Sequence, residues 1–192
     1  MKQAPILNDK QVKKLFNSPK MMKHESRNRM ILSLSYYAAL RSIEIASLCV
    51  GDVLNGDGSI KDTIILRSHQ TQGNESHTVG LSAHLRGELE KYVSDHSLHK
   101  ERLTAPLIRS QKGGFFSSQS LQNLFKHLYK SVEFDDCSSH SGPRKFASLL
   151  NDKNVSIGVI KSLLRHSHIS STQRYIQVSK HRLENSVNLL NY

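Results

Sequence analysis

The second half of the chain concentrates side chains that can handle a phosphate. Ser138-Ser139-His140-Ser141-Gly142-Pro143-Arg144 is followed by Leu163-Leu164-Arg165-His166-Ser167-His168, and then by Ser171-Thr172-Gln173-Arg174-Tyr175. Imidazoles and hydroxyls donate to phosphate oxygens and move protons. A tyrosine in basic surroundings can act as a nucleophile, because a nearby cation stabilises its phenolate. The same residues also fit a set of surface histidines and a core tyrosine, and composition alone favours that plainer assignment. Order and spacing have to decide.

The elements that must position these residues read as mainly helical. Residues 8–16 form a short helix, capped by Asn8 or Asp9, with Val12, Leu15 and Phe16 as its apolar stripe. Residues 25–40 form a longer one, with Met30, Ile31, Leu34 and Tyr37 at helical spacing, and residues 42–49 a short one. Asn55-Gly56-Asp57-Gly58 is a turn, and strands at Thr63–Leu66 and 76–81 make a β-hairpin around a polar stretch. Helices follow over 83–93, 118–132, 146–150, 155–164 and 182–190, with a turn at Gly113-Gly114. The expected fold is α+β, mainly α, with a small antiparallel sheet, in one domain over residues 1–192.

Composition narrows the partners. The length suits one domain, or one with a small extension, and is enough for a proper core. Hydrophobic residues at 37% and charged residues at 22% suit a globular rather than a disordered chain. The 27 Lys and Arg against 16 Asp and Glu leave a formal +11, and the sequence pI is about 9.8. That balance favours a polyanion, first of all a nucleic acid, because each neutralised phosphate releases counterions. A membrane surface is the rival, but no long, strongly amphipathic basic helix stands in the sequence. Cys49 and Cys137 are far apart and in no metal-ligand spacing, so no metal or cofactor is expected, and both read as buried or incidental thiols. There is no run of 18 apolar residues and no signal-peptide core, so a cytoplasmic location is expected.

Order and spacing resemble the tyrosine recombinases, the phage-integrase family. Tyr37-Ala38-Ala39-Leu40-Arg41-Ser42-Ile43-Glu44 is similar to the first arginine motif, Gly-Leu-Arg with a Glu three residues on. Ser139-His140-Ser141-Gly142-Pro143-Arg144 resembles the middle His-x-x-Arg motif, and the segment from His166 to Val178 resembles the C-terminal one, whose Tyr lies nine residues after its His. The last motif is specific; the other two gain weight from their order and separation. The resemblance implies double-stranded DNA as partner and metal-free breakage and rejoining through a 3′-phosphotyrosine link. Arg41 would then clamp the phosphate, His140 assist proton transfer, His166 donate to the phosphate and Tyr175 be the nucleophile.

Four features depart from the family pattern. Pro143 stands in the slot of the second phosphate-binding arginine. Arg144 is next door, but one helical residue turns a side chain by about 100°, so it is expected to stay out of the vacated place. Gln72 before Gly73 stands where the family has its acidic lysine, and an amide is no general acid. His69 or His77 could substitute, although hairpin residues are more often solvated. Arg165 replaces the usual glycine before the histidine and is expected to add charge and crowd the site. Finally, the chain begins too close to Arg41 to contain the family's N-terminal clamp domain, as in the short fimbrial-switch invertases. Leu183, Val187 and Leu190 form a stripe on a C-terminal helix, about residues 180–192, which packs either on its own core or on a second copy. Kept motif residues favour an active recombinase; Pro143 and Gln72 favour an inactive DNA-binding relative acting as a regulator or accessory factor. A domain serving protein contacts alone sits poorly with the charge.

Overall fold

Helix α1 (Asp9–Asn17) begins at a reciprocal cap: the Asn8 side chain accepts from the Gln11 N–H, and the Gln11 side chain accepts from the Asn8 N–H, both at 2.9 Å. Of the two candidate caps, Asn8 is the one used. The computed structural model describes residues 3–18, 23–71, 73, 75–176 and 187–188. Helix α2 (Glu25–Tyr37) is buried almost all round, serines included, and runs through the core. It stops short of the expected residue 40. Ala39 takes φ 50°, and the Ala38 and Leu40 N–H groups both turn back to the Leu34 carbonyl. This left-handed exit aims the next residues, Leu40 and Arg41, across the helix end.

Helix α3 (Ser42–Ser47) follows at once and ends before residue 49, where Cys49 pairs with Pro106 in an isolated β-bridge. After the single turn of α4 (Val50–Val53), strands β1 (Thr63–Leu66) and β2 (His77–Gly80) pair antiparallel, from Thr63 opposite Gly80 to Leu66 opposite His77. Gln70 pins the hairpin to α3 and α4. Its amide donates to Asp52 at 2.8 Å and to the Ser47 carbonyl at 3.0 Å, while its oxygen accepts from the Arg67 N–H. The polar connection between the strands is therefore anchored at its base. Gln72 lies outside the described residues.

Helices α5 (Ala83–Asp95), α6 (Ser118–Lys130), α7 (Ser141–Asp152), α8 (Ile157–Leu163) and α9 (Ile169–Gln173) complete the described fold. The fold is α+β and mainly helical, with a two-stranded antiparallel sheet. Helix α7 begins at Ser141, five residues before the expected start at 146. Ser-Gly-Pro reads as a loop signal, yet Pro143 occupies the first turn, where its missing N–H has no intrahelical acceptor to lose. The expected C-terminal helix falls outside the described residues except for Val187 and Asn188, which are helical. Among the described residues, no helix is long and apolar enough to cross a membrane.

Two apolar clusters hold these elements. The main core joins α1, α2, α5 and α6 with Ile64, Leu66 and Val79 of the hairpin, and includes Cys137. Each such buried Leu, Ile or Phe stabilises the fold by roughly 1.5–3 kcal/mol. A smaller cluster of Ala39, Ala147, Ile160 and Leu164 packs Tyr175 and Ile176 against it. That second cluster is the floor on which the motif residues meet.

Candidate active site

Arg41 is held from both sides. Glu44, at the third position of α3, accepts from the Arg41 N–H at 2.7 Å and from its Nη1 at 3.1 Å. Arg41 Nη2 donates to the Leu164 carbonyl at 3.0 Å, which ties the start of α3 to the end of α8. Glu44 is fully buried, and a second cation satisfies it. Arg165 donates from Nη2 at 2.9 Å and from Nε at 3.4 Å, with further bonds to the carbonyls of Ala39 and Leu163. Two guanidiniums therefore share one carboxylate, leaving a surplus positive charge beside the cleft. Burial lowers the Arg165 pKa, and Glu44 opposes that shift.

Arg165 lines the cleft and adds charge there, but its side chain is 2% exposed and paired with Glu44. The backbone there has φ 56°, as left-handed as Ala39. Both places are the ones where the family pattern carries glycine, which enters this region without steric cost. The two strained residues are joined directly, Arg165 Nη2 to Ala39 O at 2.8 Å.

His166 follows immediately. Its Nδ1 is 3.0 Å from the hydroxyl of buried Thr172, and its ring meets Tyr175 edge-to-face at 5.0 Å between centroids. Burial first, then Arg41, Arg165 and Arg174, push its pKa down to about 4. It is thus a neutral imidazole at pH 7. In the tautomer where Thr172 donates to Nδ1, Nε2 carries the proton and can donate to a phosphate.

The middle motif reaches this point through a close helix contact. A Cβ on Gly142 would run into Ser35, so glycine lets the start of α7 lie close against α2. His140, just before α7, keeps an exposed side chain; partial desolvation and then the charges of Arg41 and Arg144 lower its pKa. Pro143 is buried in the first turn of α7. Arg144 is 4% exposed, lies over the Tyr175 ring at 5.6 Å and donates to the Arg174 carbonyl at 3.1 Å. It reaches the tyrosine segment and grips it, but it does not line the cleft.

That cleft, about 290 Å³, is lined by Arg41 and by residues 165–168 and 171 on one side, and by Thr71, Gly73, Glu75 and His77 of the hairpin on the other. Tyr175 and His140 are not in that lining; Tyr175 packs on His166, which is. A larger hollow of about 500 Å³ between α2 and α5, lined by Glu25, Arg29 and Glu88 among others, contains no motif residue. Four distant segments thus converge: residues 39–44, the hairpin, residues 140–144 and residues 163–175. Sequence reasoning missed the part played by Glu44, although its place three residues after a helix start is a capping signal. It also missed the Ser35–Gly142 contact, which leaves no local signal.

The phage integrase family model matches residues 5–182. The chain belongs to that family. The tyrosine recombinase XerA of Pyrococcus horikoshii is 27% identical over 161 residues, 84% of this chain and 54% of that protein. The tyrosine recombinase XerD of Oceanobacillus iheyensis is 27% identical over 183 residues, 93% and 59%. The chain spans about half the length of the curated relatives it matches. Among solved structures, a XerA recombinase matches with a TM-score of 0.78 at 19% identity, over 100% of this chain and 67% of that one. A XerH site-specific recombinase bound to palindromic difH substrate matches with 0.74 at 21% identity, over 97% and 53%. The phage integrase fold is therefore shared across the described residues.

Proposed function

We propose that this chain is the catalytic region of a site-specific tyrosine recombinase, acting on double-stranded DNA without two of the side chains the family pattern carries. The observation that carries the reading is that Arg41 and His166, from separate segments, line one cleft, with Tyr175 packed on His166 and His140 close enough to Arg41 to feel its charge. The net +11 and the DNA-bound state of the XerH relative support a DNA partner.

The chemistry follows from the residues. Arg41 and the neutral His166 donate to the non-bridging oxygens of the scissile phosphate, where charge grows in the transition state. Tyr175, turning from behind His166, bonds to phosphorus through Oη as the bond to the 5′-oxygen breaks. Its proton passes to His140. The 3′-phosphotyrosine link conserves the bond energy, and a 5′-hydroxyl from another strand reverses the step. Arg144 holds the Tyr175 ring and the backbone before it.

Two positions depart from the family's scheme. Pro143 brings no cation, and one missing preorganised donor typically costs about 10²–10³ in rate. Gln72 brings no acid, and a site with no acid at all loses about 10²–10⁴. A second reading, a DNA-binding relative with no strand transfer, is favoured by one observation: Arg144, the cation next to the Pro143 slot, is committed to the Tyr175 ring and the Arg174 carbonyl. A nicked suicide substrate drawn from the chain's own genetic neighbourhood separates them. The first reading gives a covalent adduct that Tyr175→Phe abolishes; the second gives salt-sensitive DNA binding and no adduct.

A further inference from the structure

The hairpin wall of the cleft holds a group the scheme above does not use. Strand β2 alternates: Val79 is 5% exposed, and Thr78 and Gly80 are exposed. His77 therefore shares the inward face with Val79. It pairs with Leu66, which is fully buried, and it lines the same cleft as Arg41 and His166. His77 is half-buried, contrary to the expectation of a solvated hairpin residue. His69 is exposed in the turn after β1 and does not line the cleft.

In-line displacement places the leaving oxygen across the phosphorus from the attacking one. Tyr175 packs on His166, so an attack from that side of the cleft leaves the 5′-oxygen facing the hairpin wall. Of the described hairpin residues on that wall, Thr71 uses its hydroxyl on the carbonyls of Ser68 and Glu75, Gly73 has no side chain, and Glu75 is an acceptor when ionised. Gln72 and Asn74 are amides, with no ionisable proton wherever they lie. His168 also lines the cleft, but from the nucleophile's side, at the start of α9.

We infer that His77 is the general acid of this site, in place of the family's hairpin lysine; the inference rests on the recombinase reading. As Tyr175 Oη bonds to phosphorus and the bond to the 5′-oxygen breaks, the His77 imidazolium gives its proton to that oxygen, while the Tyr175 proton passes to His140. One proton leaves the phenol and one reaches the new hydroxyl. Rejoining runs the same transfers backwards.

The test compares two suicide substrates with the full chain, one with the normal 5′-oxygen and one with sulfur in that bridging place. A thiolate leaves without a proton. His77→Ala and His77→Gln should slow adduct formation by about 10²–10⁴ on oxygen, stay near wild type on sulfur, and bind DNA unchanged. An unaltered rate on oxygen, or equal losses on both substrates, overturns the assignment. Absence of a Tyr175-dependent adduct from the wild type on the sulfur substrate overturns the recombinase reading itself, a result distinct from a wild-type adduct that His77→Ala leaves untouched.

Discussion

Replacing Arg165 by glycine sets a backbone gain against the loss of a buried ion pair. At φ 56°, a residue with a Cβ pays about 1–2 kcal/mol that glycine does not. Against this, Arg165 makes two bonds to the buried Glu44 carboxylate and two more to the carbonyls of Ala39 and Leu163. Breaking a buried pair typically costs about 3–5 kcal/mol. The lower end applies here, because Glu44 keeps the Arg41 N–H and Nη1. The net expectation for Arg165→Gly is a loss of about 1–2 kcal/mol. For a chain of this size that lowers Tm by roughly 2–8 °C. Arg165→Ala keeps the backbone strain and loses the pair, so it should fall further. Urea and thermal unfolding of the three proteins should rank wild type above Arg165→Gly above Arg165→Ala. A glycine variant as stable as wild type, or an alanine variant more stable than the glycine one, would refute the reasoning.

Three further outcomes follow from the same geometry. Ala39→Gly relieves the left-handed turn that ends α2 and should stabilise the protein by about 1 kcal/mol in urea unfolding; a destabilised variant would show that the turn is unstrained. His166 is held at about 4 against an ordinary 6.5, so above pH 6.5 it is neutral in folded and unfolded chains alike. As pH falls from 6.5 towards 4, the unfolded chain takes up a proton that the folded one does not, and stability drops. His166→Asn should flatten that part of the stability curve, and an unchanged curve would contradict it. Pro143→Arg with Gln72→Lys should raise the rate of adduct formation on a suicide substrate by about 10² or more; no gain would mean that the site is limited elsewhere.

The helical periods and the hairpin were legible because core stripes and turn residues are local signals. The helical pattern of α2 runs three residues past its end because Ala39 carries no mark of a left-handed backbone, where a glycine would announce it. The start of α7 is hidden because Ser-Gly-Pro looks like a loop, and its packing on Ser35 shows why a glycine stands there. The motifs located Arg41, His140, His166 and Tyr175 by spacing. They did not show that Arg165 faces Glu44, since a charged residue beside a charged motif reads as part of the site until its rotamer and burial are known. Arg144 was expected to stay out of the vacated arginine position and does not line the cleft, but its grip on Tyr175 depends on the tertiary approach of α7 to α9. His77 and His69 were indistinguishable in sequence. The strand register separates them, because it sets which face of β2 looks inward.

The most direct test of the account is to digest the protein–DNA adduct from a suicide substrate with nuclease and protease and to weigh the nucleotide-bearing peptide. The account predicts a peptide containing Tyr175, modified on that residue, and no such species from Tyr175→Phe. A nucleotide linked to any other residue, or no linked peptide from protein that binds the same DNA, would contradict it.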